Sequence, residues 1–227
     1  MPVGSNWLQQ RGVSPQLAYR YVKSGWLEGL AHGIFAKPGD ALDRDHSLRL
    51  LADLGYLLHV GGKTALAWHG FRHNLALGGE LLTLYKPGGR RLPQWFTTRF
   101  RCQVNSRSLF DEPADGPLHV SKTNAEHAGV PTSEPERATL EMLSEIPRKQ
   151  SIEGAEQLME GLVSLRREVM HDILMHCTNV KAVRLFLHFA RTFKLPILDN
   201  LSVEQLPTGS RSRYVLKLAR GTLVLKP

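Results

Sequence analysis

The chain has 227 residues, with 29 Lys and Arg against 21 Asp and Glu and a formal net charge of +8 at pH 7. Hydrophobic residues make up 42% and charged ones 22%, ordinary globular usage that excludes wholesale disorder and allows one large or two small domains. The positive balance favours a polyanionic partner. Cys102 and Cys177 are the only cysteines, too few for a disulfide framework or a cysteine zinc site. No apolar run approaches the ~20 residues of a membrane helix, and no charged-then-apolar leader opens the chain. A soluble, cytoplasmic protein with no membrane partner is expected.

In chain order, the first pattern lies at about residues 6–38, inside an N-terminal segment 1–88. A short helix leads to a tight Gly12-Val13 turn. Ser14 suits an N-cap because its hydroxyl accepts an orphan N–H, and Pro15 suits the first helical position, where no N–H is needed. The second helix is therefore predicted over residues 15–23, stopping at Ser24-Gly25, where glycine takes the left-handed cap conformation. Leu17, Ala18, Tyr21 and Val22 form its packing stripe; Gln16, Tyr19, Arg20 and Lys23 occupy the other face at i, i+3, i+4 and i+7. That outer face carries no acid. This is the layout of a helix-turn-helix that reads the major groove, and the bland alternative is a helical pair with a solvated polar face.

Trp26-Leu27, Leu30 and Ile34-Phe35 around His32-Gly33 predict a hairpin, the wing that commonly follows a recognition helix. The candidate DNA-binding residues are Ser14, Gln16, Tyr19, Arg20, Lys23, His32 and Lys37. Arg20 and Gln16 are expected at base edges, and Lys23, Lys37, His32 and Tyr19 at phosphates. A winged helix-turn-helix normally has one helix more, so the first helix is expected to be missing or replaced by another segment against Trp7, Leu17 and Tyr21.

Asp43 or Asp45 is expected to cap a helix ending near Gly55, followed by a buried strand at residues 57–60 and a helix at 63–69. The intervening Gly61-Gly62-Lys63-Thr64 lacks the first glycine of a phosphate loop, since that position is Leu57; it predicts a tight turn required for packing. Residues 80–86 predict a strand, and Lys86-Pro87-Gly88-Gly89 a soft boundary before a segment 89–227. Between Leu81 and Phe110 the charges are all basic: Lys86, Arg90, Arg91, Arg99, Arg101 and Arg107, interleaved with Tyr85, Trp95 and Phe96. This is a candidate backbone-tracking patch, or else solvated strand edges that discourage edge pairing.

Residues 98–105 and 118–121 predict strands, 131–135 a loop, and Pro135 the start of a helix that Pro147 ends. One long helix is expected at about residues 151–175 and a buried one at 180–193. A strand at 214–219, a turn at Arg220-Gly221 and a strand at 222–225 close the chain, with Arg211, Arg213, Lys217 and Lys226 exposed. His171, His176, Cys177 and His188 invite a metal or nucleophile reading, but His171 and His176 do not share a helix face. Glu134, Glu136, Glu141 and Glu145 resemble a carboxylate cluster, and Glu141 and Glu145 more simply form a solvated helix face. No enzyme, cofactor or metal is expected.

The stretch WLQQRGVSPQLAYRYVKSGWLE with GIFAKPGD, followed by HVGGKTALAWHG at residues 59–70, resembles the AbiEi family of antitoxins of type IV toxin-antitoxin systems. The resemblance implies an α+β chain in which an N-terminal winged helix-turn-helix precedes a mixed α/β antitoxin domain. It implies autorepression on double-stranded DNA of the chain's own promoter, with repeated half-sites. It also implies that the C-terminal domain counters a nucleotidyltransferase-like toxin without a stable complex. The alternative is an RNA-binding protein or enzyme with an N-terminal docking module.

Overall fold

The computed structural model describes the chain except for residues 72–80, 115, 123–126, 128, 211 and 219–220 and the side chain of Asn200. The chain begins with β1 (Val3–Gly4), α1 (Ser5–Gln9), α2 (Pro15–Lys23), β2 (Glu28–Ala31) and β3 (Ile34–Ala36). Ser14 Oγ accepts from the Leu17 N–H at 3.2 Å and Pro15 occupies the first turn, so α2 starts where its cap dictates. Past its end Gly25 has φ +76°, the conformation for which glycine carries no Cβ penalty.

β2 and β3 form the expected hairpin around His32-Gly33, and β1 adds to it in the order β1-β3-β2, Val3 pairing with Phe35 and Gly4 with Ile34. What precedes α1 is thus a strand of the wing sheet, in the place where the sequence led us to expect the usual first helix to be missing or replaced. Trp7 is 39% exposed and is covered by the Arg11 guanidinium, 3.7 Å from its ring centroid.

α3 (Arg44–Asp53) is capped by Asp43, whose Oδ1 accepts from the His46 N–H at 2.8 Å. Then come β4 (His59–Val60), α4 (Gly62–Trp68), β5 (Leu82–Tyr85), α5 (Gln94–Arg99), β6 (Cys102–Asn105), β7 (Val120–Lys122), β8 (Pro131–Ser133) and α6 (Pro135–Ser144). The five-stranded sheet has the order β6-β5-β4-β8-β7, with β4 central, antiparallel to β5 and parallel to β8. Residues 131–133, expected as loop, form a strand because β4 and β7 flank them; Pro131 opens that strand, one of the few sheet positions proline tolerates. The sheet takes β4 and β5 from before residue 88 and β6 to β8 from after it.

The expected long helix is two: α7 (Ile152–Glu160) and α8 (Arg167–Met175). Between them Leu162 and Leu165 turn inward, 1% and 9% exposed, and the Arg166 N–H donates to Glu136 Oε1 at 2.7 Å. Burying two leucines and satisfying a buried carboxylate outweighs continuing the helical bonds.

α9 (Val180–Thr192) is apolar on most sides; Leu185, Phe186 and Phe189 are at most 1% exposed. Its Arg184 is also buried, and the guanidinium donates to the carbonyls of Thr208 at 2.7 Å, Ser212 at 2.8 Å and Ser210. These bonds hold the approach to β9 (Tyr214–Lys217), which pairs antiparallel with β10 (Thr222–Leu225). Arg211, Ala219 and Arg220 lie outside the described residues, as does Glu80 of the strand expected at 80–86. One core runs from Ile34 and Leu48 through Leu84 and Phe186 to Leu225. Among the described residues no helix is long and apolar enough to cross a membrane.

Candidate nucleic-acid interface

α2 buries Ala18 and leaves Gln16, Tyr19, Arg20 and Lys23 exposed on one face, as its periodicity requires. Tyr19 is 61% exposed, and the Lys23 ammonium lies 4.9 Å from its ring centroid, a cation-π contact that holds both side chains on the outer face. Ser14 is committed to the cap. His32 is exposed at the hairpin turn, beside Gly33 at φ +71°. Lys37 is exposed beyond the wing and sits 3.8 Å from Asp40, an open ion pair that water screens. Trp26, read in the sequence as part of the wing's apolar set, is 75% exposed between α2 and β2. An apolar pattern alone does not distinguish such an aromatic from a core one.

The basic patch is divided by the fold. Lys86 is only 6% exposed, and its ammonium donates to the Gly88 carbonyl within the turn. The Arg90 guanidinium donates to the Leu54 carbonyl at 2.7 Å and lies 3.9 Å over the Tyr56 ring. Arg99 reaches Glu28 of β2 at 3.3 Å and so ties α5 to the wing. Arg91 and Arg101 are exposed. Tyr85, Trp95 and Phe96 are 4%, 6% and 0% exposed; they are core residues, not a stacking platform.

A buried polar network is built on Glu141 and Glu145, the two carboxylates expected on a solvated helix face. Glu141 is 0% exposed. Its carboxylate accepts from His59 Nε2 at 2.9 Å, the Gly62 N–H at 2.9 Å, Ser133 Oγ at 2.9 Å and Arg137 Nε at 2.8 Å. Burial by itself raises this carboxyl, but the His59 ring, the Arg137 guanidinium and the Gly62 N–H hold it below the usual carboxylate range. Arg137 continues to Glu112 Oε1 at 2.7 Å and to the Leu118 carbonyl at 2.7 Å. One turn later Glu145 accepts from Tyr85 Oη at 3.0 Å and Gln103 Nε2 at 3.1 Å. The network joins β4, β5, β6, β8 and α6, so its work is to lock the sheet to α6.

Glu134 and Glu136 are taken by Arg166, whose Nη2 lies 2.7 Å from a carboxylate oxygen of each. Among the described residues no group of three or more His, Cys, Asp and Glu is placed to hold a metal ion. His176 Nδ1 bonds the Asp172 carbonyl at 2.9 Å and His119 Nε2 meets the Asp172 carboxylate at 2.7 Å. Burial pushes the Cys177 thiol up to about 11, which leaves little thiolate at neutral pH.

A two-helix head with a recognition-type helix and a strand wing, on a larger body built from one sheet and a helical layer, defines a two-part α+β protein of helix-turn-helix type. The chain belongs to the AbiEi antitoxins, transcriptional regulators of type IV toxin-antitoxin systems. Residues 79–226 match the family described as "Transcriptional regulator, AbiEi antitoxin, Type IV TA system", and residues 1–77 match the AbiEi antitoxin N-terminal domain. The crystal structure of the RV2827C protein from Mycobacterium tuberculosis is similar in fold, with a TM-score of 0.57 and 18% identity, over 94% of this chain and 83% of that one. Among curated proteins none matches the sequence.

Proposed function

We propose that this antitoxin represses its own operon by inserting α2 into the major groove of promoter DNA. The observation that carries the reading is the exposed, acid-free face of α2, in which Gln16, Tyr19, Arg20 and Lys23 stand together on a capped helix beside a wing. Arg20 and Gln16 have the donors and acceptors that base edges require. Lys23, Lys37, His32 and Tyr19 contact phosphate, Ser14 keeps the helix start in place, and Arg91 and Arg101 extend the positive surface. Two head domains on repeated half-sites would read double-stranded DNA one helical turn apart. The body counters a nucleotidyltransferase-like toxin without a stable complex, and the protein itself catalyses nothing.

Titration of the full chain against its own upstream DNA tests this. Arg20→Ala is expected to cost about 1–3 kcal/mol on the operator and to relax specificity, whereas Lys23→Ala weakens all DNA alike and flattens the salt dependence. Equal operator affinity for Arg20→Ala and the parent would overturn the assignment. Colony formation under toxin expression from a foreign promoter separates neutralisation from repression.

A further inference from the structure

A cleft of about 730 Å³ opens where the end of β6, the turn after α6, the start of α9 and β9 meet. Arg107, Arg148, Lys149, Lys181 and Lys217 line it, against the single carboxylate of Glu145. That carboxylate is already bonded by Tyr85, Gln103 and Asn105. Lys181 donates to the carbonyls of Ser144, at 2.7 Å, and Ile146, and Lys149 donates to Asn105 Oδ1. The side chains of Arg107, Arg148 and Lys217 make no ion pair among the described residues. Burial, then the positive fields of Arg148 and Arg107, lower the pKa of Lys181. The cations repel one another with too little acid to relieve them, a state that a bound polyanion stabilises.

Two features give the ligand a shape. Asn179, the N-cap of the 13-residue α9, lines the cleft, so the helix directs its positive dipole end there. Tyr214 and Val215 of β9 also line the cleft and are 38% and 56% exposed, an apolar surface with a ring for stacking. The volume lies within the ~300–1,000 Å³ of small-ligand pockets, and the cations converge on one concavity instead of spreading along a track. We propose that the cleft binds a nucleoside polyphosphate, its phosphates held by Arg148, Lys149 and Lys181 with Arg107 and Lys217 flanking, and its base against Tyr214. This site is separate from α2 and stands whether or not α2 binds DNA.

The test is calorimetric titration of the full chain with each of the four ribonucleoside triphosphates and with inorganic tripolyphosphate. Saturable binding of at least one nucleotide is expected. Arg148→Gln with Lys217→Gln, both at exposed positions, is expected to weaken it about tenfold or more (~1.4 kcal/mol) with the melting temperature and operator binding unchanged. Tyr214→Ala should weaken the nucleotide and leave tripolyphosphate as it was. Three results overturn the proposal. These are no saturable nucleotide binding at millimolar concentration, tripolyphosphate binding as tightly as every nucleotide, or a double variant whose one effect is weaker DNA binding. The last would make the cleft part of a nucleic-acid surface.

Discussion

Glu141→Gln removes one charge from a site where Arg137 stays 4% exposed with only Glu112 left to neutralise it. Breaking a buried pair from one side costs about 3–5 kcal/mol, because the remaining ion keeps its desolvation penalty; urea denaturation reads the loss. The same carboxyl sets a pH dependence. Glu141 and Glu136 are both held below the usual glutamate value of 4.5 in the folded chain, so the stability they contribute is present above that pH and is lost as pH falls below it through their lowered folded-state values. Glu145, which burial raises, acts in the opposite sense and offsets part of the loss. Acid denaturation of the parent should therefore be steeper than that of Glu141→Gln. None of this is visible in the local sequence: the i, i+4 spacing of Glu141 and Glu145 is the same whether the face is wet or buried. The buried partner of Glu141, His59, lies 82 residues away in sequence.

Among the elements, α2 and the turn before α4 differ in how they are specified. Ser14→Ala should cost about 0.5–2 kcal/mol by orphaning the Leu17 N–H, measured as a fall in melting temperature accompanied by weaker operator binding. Gly61 faces another constraint: a Cβ there would collide with the Glu141 carboxylate and lie 2.5 Å from Tyr85 Cδ2. Gly61→Ala is expected to destabilise by about 1–3 kcal/mol through overpacking, seen as a lower urea midpoint. The tight turn predicted at Gly61-Gly62 is thus a packing requirement, and the sequence reading identified it while missing the carboxylate that imposes it. The cap of α2 was legible and that of α3 was narrowed to Asp43 or Asp45, because Ser14 and Asp43 act on N–H groups three residues away. The break between α7 and α8 was not, because it depends on Glu136 and on a core that receives Leu162 and Leu165.

For the molecule as a whole, the head meets the body through Arg99 and Glu28, through Leu50 at 3.5 Å from the Cβ position of Gly4, and through Ile34 in the shared core. The five-stranded sheet begins only at His59. Removal of residues 1–40 should therefore leave a cooperatively unfolding remainder with a lower melting temperature, since the shared core loses Ile34. It should abolish operator binding. Calorimetric unfolding of the truncated chain checks the first expectation, and a gel shift the second. The net charge of +8 is distributed unequally in this molecule. Arg137 and Arg184 are buried and Lys86 is turned inward, whereas the α2 face and the α9 cleft keep their cations accessible.

The sequence by itself determined the helix start at Ser14, a cap at Asp43 or Asp45, the hairpin at His32-Gly33 and the buried character of α9, and its residue strings carried the family resemblance. The elements rest on interactions within a few residues or on a periodicity that one element carries alone, and the resemblance on matching stretches of sequence. Only the tertiary structure decided the fate of the charged residues. It decided which carboxylates are buried, that Lys86 is turned inward while Arg99 pairs with Glu28 at the surface, that residues 131–133 are a strand, and that five cations from four separate stretches of the sequence share one cleft. A charged side chain has the same local pattern in water and in a core. Its environment is set by partners that the fold brings from tens of residues away.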